Sequence, residues 1–123
     1  MLSFLLLCLA PTIIFAETNT FTRSLFFGAR GDDVKLLQKF LNASPETLIA
    51  RTGAGSPGNE TDYFGFATRR ALISFQEKYR AEVLAPVGLN SGTGFLGEKT
   101  RAKINALLGT APAPILPRVT ETT

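Results

Sequence analysis

The sequence predicts an all-α fold: a compact three-helix bundle with long glycine-rich connecting loops, preceded by a signal peptide. Three observations carry that prediction. Phe64-Gly65-Phe66-Ala67-Thr68-Arg69 is echoed 32 positions later (100 − 68) by Leu96-Gly97-Glu98-Lys99-Thr100-Arg101, and each copy leads into an amphipathic pattern of helical period. Upstream, Gly31-Asp32-Asp33-Val34-Lys35-Leu36-Leu37-Gln38 makes a third glycine-opened helix start. Between these starts no alternating apolar run is long enough to build a sheet.

The chain begins with an apolar stretch, Leu2 to Phe15, 14 residues long and free of charge. A membrane-spanning helix needs about 20 such residues. Ala16 supplies a small residue at a cleavage position, and Glu17-Thr18-Asn19-Thr20 turns polar at once. Residues 1–16 are therefore read as a secretory signal peptide, whose positive start is the free amine alone. Cys8, the single cysteine, lies inside the apolar run, with Leu5-Leu6-Leu7 before it rather than the small residues of a lipoprotein signal. Its removal leaves a mature chain without cysteine, indifferent to redox conditions.

The domain itself is expected over residues 21–108. Its first helix runs from Asp32 to Asn42. The two aspartates favour the positive end of the helix dipole, and Val34, Leu37 and Leu41 share one face. The second helix starts at Phe66 with Gly65 as N-cap and continues to about Tyr79, its stripe formed by Leu72, Phe75 and Tyr79. The third runs from Glu98 to Leu108 with Gly97 as cap and Gly109 as stop, facing inward through Ile104, Leu107 and Leu108. Thr68 and Thr100, third in their helices, are expected to reach back to the cap backbone N–H. Phe64, Phe75 and Phe95 are expected in the core. A connection from Ala43 to Asp62, rich in glycine around Gly53–Asn59, and a second one, Gly88–Phe95, join the helices. From residue 109 onward three prolines and no helical period predict a Pro/Thr-rich disordered tail, residues 109–123.

Composition removes several functions. There is no histidine and no tryptophan, so neither a His-based triad nor a His-ligated metal is available. Asp32, Asp33, Glu60 and Asp62 match no ordered calcium loop, so no metal and no cofactor is expected. Arg30-Gly31-Asp32 opens a helix and is read as part of it rather than as an adhesion tripeptide. The net charge of +3 suits an anionic partner; export argues against nucleic acid.

Taken in order, Gly28-Ala29-Arg30-Gly31-Asp32-Asp33-Val34-Lys35-Leu36-Leu37-Gln38 with Leu41, then Tyr63-Phe64-Gly65-Phe66-Ala67-Thr68 with Ala71-Leu72 and Phe75-Gln76, and finally Gly94-Phe95-Leu96-Gly97-Glu98-Lys99-Thr100, resemble the peptidoglycan-binding-like domain family. This is a small three-helix module of bacterial cell-wall proteins. The likeness covers roughly Leu25 to Leu108. It departs at Phe66, where the family usually has proline, and in the longer loop between the first two helices. The resemblance implies the three-helix fold and a secreted or periplasmic, cell-wall-associated module that binds peptidoglycan, through its glycan strand or stem peptide, without catalysis. It implies no stable membrane insertion once the signal is cleaved.

Four residues are candidates for ligand contact. Tyr63, beside a glycine turn, offers a flat apolar face and a hydroxyl to a sugar or peptide. Arg69 and Arg101 hold equivalent repeat positions where they meet carboxylates of a wall peptide or remain solvated. Gln76, like Gln38, stands at the border of its stripe and either meets a ligand or satisfies backbone groups of the glycine-rich loops. The alternative function is an envelope protein-interaction or scaffold module that kept the fold without glycan binding. A hydrolase is disfavoured, because only carboxylates are available and none forms a recognisable constellation.

Overall fold

The structure is a computed structural model and describes residues 20–109. The signal peptide, Cys8 and the tail from residue 110 lie outside the described residues. Helix α1 spans Asp32–Asn42, α2 Phe66–Lys78, α3 Arg80–Val83 and α4 Glu98–Leu107, with 3-10 turns at Pro45–Thr47 and Ala85–Val87. The three expected helices are α1, α2 and α4. The addition is α3, a single turn entered where Tyr79 (φ −106°, ψ 34°) leaves helical geometry, and it stops before Pro86. Among the described residues there is no strand, only two antiparallel bridges, Leu25 to Leu96 and Arg30 to Tyr63.

Helical spacing builds the core. Val34, Leu37 and Leu41 of α1, Leu72 and Phe75 of α2 and Ile104 of α4 bury one face each, joined by Phe64 and Leu96 from the loops before α2 and α4. Removing a fully buried leucine such as Leu37 costs about 2–5 kcal/mol, through lost transfer energy and the cavity left behind. Two expectations fail here. Leu107 is 45% exposed, and so is Phe95. Leu108, four residues after Ile104, packs against the core instead, and Leu107, a step of about 100° before it at the end of α4, is left at the edge. Phe95 precedes the inward-facing Leu96 in extended backbone, so its side chain points the opposite way.

The lead segment before α1 ties the bundle together. Phe21 exchanges two hydrogen bonds with the Asn105 side chain, donating at 2.8 Å and accepting at 3.1 Å. Leu25 pairs with Leu96 through both backbone bonds (3.3 and 2.8 Å). The Gly28 N–H then donates to the Phe64 carbonyl at 2.8 Å, and the Phe64 N–H to the Ala29 carbonyl at 2.9 Å. One extended strip thus holds the loops before both α2 and α4. Arg23 fastens it to α1, its Nε and Nη2 donating to the two Asp33 oxygens at 2.6 and 2.9 Å.

Two buried glutamines fix the loops from the other side. Gln38 of α1 is 1% exposed. Its amide nitrogen donates to the Tyr63 carbonyl (2.9 Å) and the Thr68 hydroxyl (3.0 Å), while its oxygen accepts from the Thr61 N–H (2.6 Å). Gln76 of α2, also 1% exposed, repeats the arrangement around the next loop. It donates to the Phe95 carbonyl (2.8 Å) and the Thr100 hydroxyl (3.2 Å), and accepts from the Thr93 and Gly94 N–H groups (2.8 and 2.9 Å). The threonines are therefore not caps: neither Gly65 nor Gly97 starts a helix with a side-chain cap bond. Their hydroxyls are buried because each receives the amide of the preceding helix.

Two predictions follow from these contacts. Gln76→Leu strands the Thr93 and Gly94 N–H groups and the Phe95 carbonyl. Each buried unpaired group costs about 1–3 kcal/mol, so denaturant unfolding should show a loss of about 2 kcal/mol or more. A loss below about 0.5 kcal/mol rules the clamp out as a structural element. The second concerns acid. The Arg23 hydrogen bonds hold the Asp33 carboxyl below the ordinary carboxylate range, against the opposing effect of partial burial. Folded Asp33 binds its proton more weakly than unfolded Asp33. The pair's contribution is therefore complete above the unfolded value near about 3.9 and is lost as pH falls through the lower folded value. Asp33→Asn should melt slightly below the parent at neutral pH, with the difference closing as acid is added. A difference that persists undiminished in strong acid refutes this assignment.

Candidate functional site

The clamped loops end in exposed aromatic rings. Tyr63 is 36% exposed, Phe95 45%, and the first residue of α2, Phe66, 74%. From the lead segment, between its pairing with Leu96 and its pairing with Phe64, Phe26 (54%) and Phe27 (43%) also face solvent. The five rings fall into two groups, linked through the consecutive residues Phe26 and Phe27 of the lead segment, and together they make up an aromatic strip. Phe26 stacks on Phe95 at 6.1 Å between centroids and 15° between planes. Phe27 meets Phe66 at 4.5 Å and Tyr63 at 6.5 Å. Beyond Tyr63 the guanidinium of Arg30 lies 4.6 Å from the ring centroid, extending the strip with a cation.

Glycine makes this geometry. Gly65 and Gly97 have ordinary extended backbone (φ −96° and −89°), so freedom of φ is not their purpose. A Cβ on Gly65 would stand 3.4 Å from the Tyr63 ring, and one on Gly97 would stand 3.1 Å from the Phe95 ring. In each repeat an aromatic ring lies flat against the backbone two residues on, where a side chain would push it away. Gly94 is different: its φ of +72° suits glycine, and a Cβ there would fall 2.4 Å from Arg69 Cγ. The stem of Arg69 lies over that bare backbone, next to Phe95.

The four residues singled out in the sequence separate accordingly. Tyr63 is in the strip, and Arg69 borders it across Gly94. Arg101 is half-buried in the first turn of α4; neither arginine forms an ion pair among the described residues. Gln76 is buried, its amide wholly occupied by the loop, so it supports Phe95 from beneath rather than facing outward. Sequence reasoning missed Phe26 and Phe27. The signal was there: two consecutive phenylalanines after the inward Leu25 and before Gly28 cannot both reach one core from extended chain.

Beside the strip lies an apolar cleft of about 230 Å³ between Leu84, Leu89, Phe95 and Thr100. Among the described residues no three acidic, cysteine or histidine side chains gather to hold a metal ion. No helix of the described residues is long and apolar enough to cross a membrane.

No curated protein and no solved structure matches the chain significantly. A family model does: residues 30–104, more than half of the chain, match the one described as "Putative peptidoglycan binding domain". That stretch takes in α1, both glutamine clamps, Tyr63, Arg69, Phe95 and Arg101, and by it the chain belongs to the peptidoglycan binding domain family.

Proposed function

We propose that residues 21–108 form a secreted, non-catalytic module that binds bacterial peptidoglycan, and that the aromatic strip is its contact surface. The observation that carries this reading is the strip itself: five exposed rings in two groups, on loops held by hydrogen bonds from both sides. Contiguous apolar surface of this kind is uncommon on a domain that binds nothing. Flat rings suit the apolar faces of a sugar chain, and the Tyr63 hydroxyl adds a polar contact. Arg69 and Arg101 stand ready for the carboxylates of wall peptides. Gln76 acts indirectly by holding the Phe95 loop. Secretion is supported by the apolar stretch Leu2–Phe15, and a module exported in this way works at the cell wall or in the periplasm. A sequence without histidine offers no His-based general base and no His-ligated metal, which favours a binding role.

The second reading is an envelope protein-interaction scaffold. Phe66, 74% exposed where the family usually has proline, favours it, because a lone protruding phenyl ring also suits a protein pocket. Co-sedimentation with isolated sacculi separates the two. The mature chain should pellet with sacculi, and Phe27→Ala with Phe66→Ala should weaken retention about tenfold, given about 0.5–1.5 kcal/mol per ring contact. Neither ring belongs to the buried core, so the variant should stay close to the parent melting temperature. Failure of the parent chain to pellet across pH and salt, with capture of a defined envelope protein, moves the assignment to the scaffold.

A further inference from the structure

The long connection between α1 and α2 is tied down throughout. Asn42 accepts from the Ile49 N–H at 2.9 Å and donates to the Gly55 carbonyl at 2.9 Å. Ile49 and Ser56 are buried, at 3% and 2% exposure. The Ser56 hydroxyl closes the glycine turn onto the Gly53 carbonyl at 2.6 Å, and Asn59 donates to Ser56 at 3.0 Å. Glu46 anchors the start of the connection to Lys78 of α2 at 2.6 Å.

Folded in this way, the connection forms one wall of a groove of about 650 Å³ against α2. Leu48, Ala50 and Pro57 supply apolar lining, and Arg51 and Arg70 enter from the two sides. Both arginines are exposed. The acids of the connection are all engaged elsewhere: Glu46 with Lys78, Glu60 with Asn42, and Asp62 with Arg30. Neither Arg51 nor Arg70 forms an ion pair among the described residues. The result is a preformed apolar trough with two uncompensated guanidinium groups. Guanidinium pairs with carboxylate in fixed, bidentate geometry, and the apolar lining between the two offers contact to the aliphatic side chains of a bound peptide.

We infer that this groove binds the carboxylate-bearing peptide arm of the wall polymer, separately from the aromatic strip. The inference rests on the peptidoglycan reading for the identity of its ligand. The glycan lies along the rings, and the peptide's small side chains enter the trough with its carboxylates on Arg51 and Arg70.

The test uses the mature chain and an Arg51→Gln/Arg70→Gln variant, in three measurements. NMR titration with free stem tetrapeptide should shift the Arg51 and Arg70 side-chain signals, and the variant should bind about tenfold more weakly, as expected for losing charge-assisted hydrogen bonds. Retention on whole sacculi should fall in the variant, while retention on glycan stripped of peptide by amidase should stay at the parent level. Inorganic phosphate at equal concentration should bind more weakly than tetrapeptide. Equal tetrapeptide binding by parent and variant overturns the inference, as does phosphate binding as tightly as peptide. If the parent fails on sacculi, the peptidoglycan reading falls, and the tetrapeptide titration still decides the groove.

Discussion

The loops that open α2 and α4, and the rings they carry, depend on two buried carboxamides. A glutamine side chain is neutral, long enough to leave its helix, and carries two donors and an acceptor on one group. Gln38 and Gln76 each spend this capacity on one loop: a carbonyl, a threonine hydroxyl and one or two backbone N–H groups. A charged residue here would carry a large desolvation cost, and an apolar one would leave loop backbone buried and unpaired. Each clamp reaches forward to the start of a later helix, Gln38 to Thr68 in the first turn of α2 and Gln76 to Thr100 in the first turn of α4. It therefore sets where α2 and α4 begin, how their preceding loops turn, and where Tyr63 and Phe95 emerge.

The lead segment completes the constraint. The clamps hold each loop on the core side, and the backbone of residues 25–31 holds both loops on the outer side. Such a strip has side chains facing in and out by necessity. Leu25 goes in; Phe26 and Phe27, at the turn between the two pairings, go out. The two groups of rings, one on each loop, are thus a consequence of using one extended segment to join two copies of the same loop.

Helix bounds and the apolar stripes of α1 and α2 were legible because period and glycine punctuation act locally. The loop role of the glutamines was legible as one of two options, since a polar residue at a core border must find partners somewhere. Thr68 and Thr100 misled, because a threonine three residues after a glycine has the spacing of a cap, and nothing local reveals that an amide 30 or 24 residues earlier takes its hydroxyl. Phe95 misled because aromatic residues beside a buried leucine read as core. The strip was invisible for a deeper reason: it brings together residues 26, 27, 63, 66 and 95, and only the bridges of the lead segment make them neighbours. The same holds for the groove, whose arginines come from the long connection and from α2.

Comparison of the two repeats separates what folding requires from what it does not. Gly65 matches Gly97, Thr68 matches Thr100, and the aromatic two residues before each glycine is retained as Tyr63 or Phe95. All of these positions contact the clamp or the bare glycine backbone. The first helical position is Glu98 in one repeat and Phe66 in the other. Glutamate there is favoured by the helix dipole by about 0.3–1 kcal/mol; phenylalanine forgoes that and leaves 74% of itself in water. Neither the helix nor the core benefits from Phe66, yet its ring lies 4.5 Å from Phe27 and lengthens the row. The proposed contact surface has a use for such a residue: an apolar ring that folding does not favour, set against an exposed neighbour.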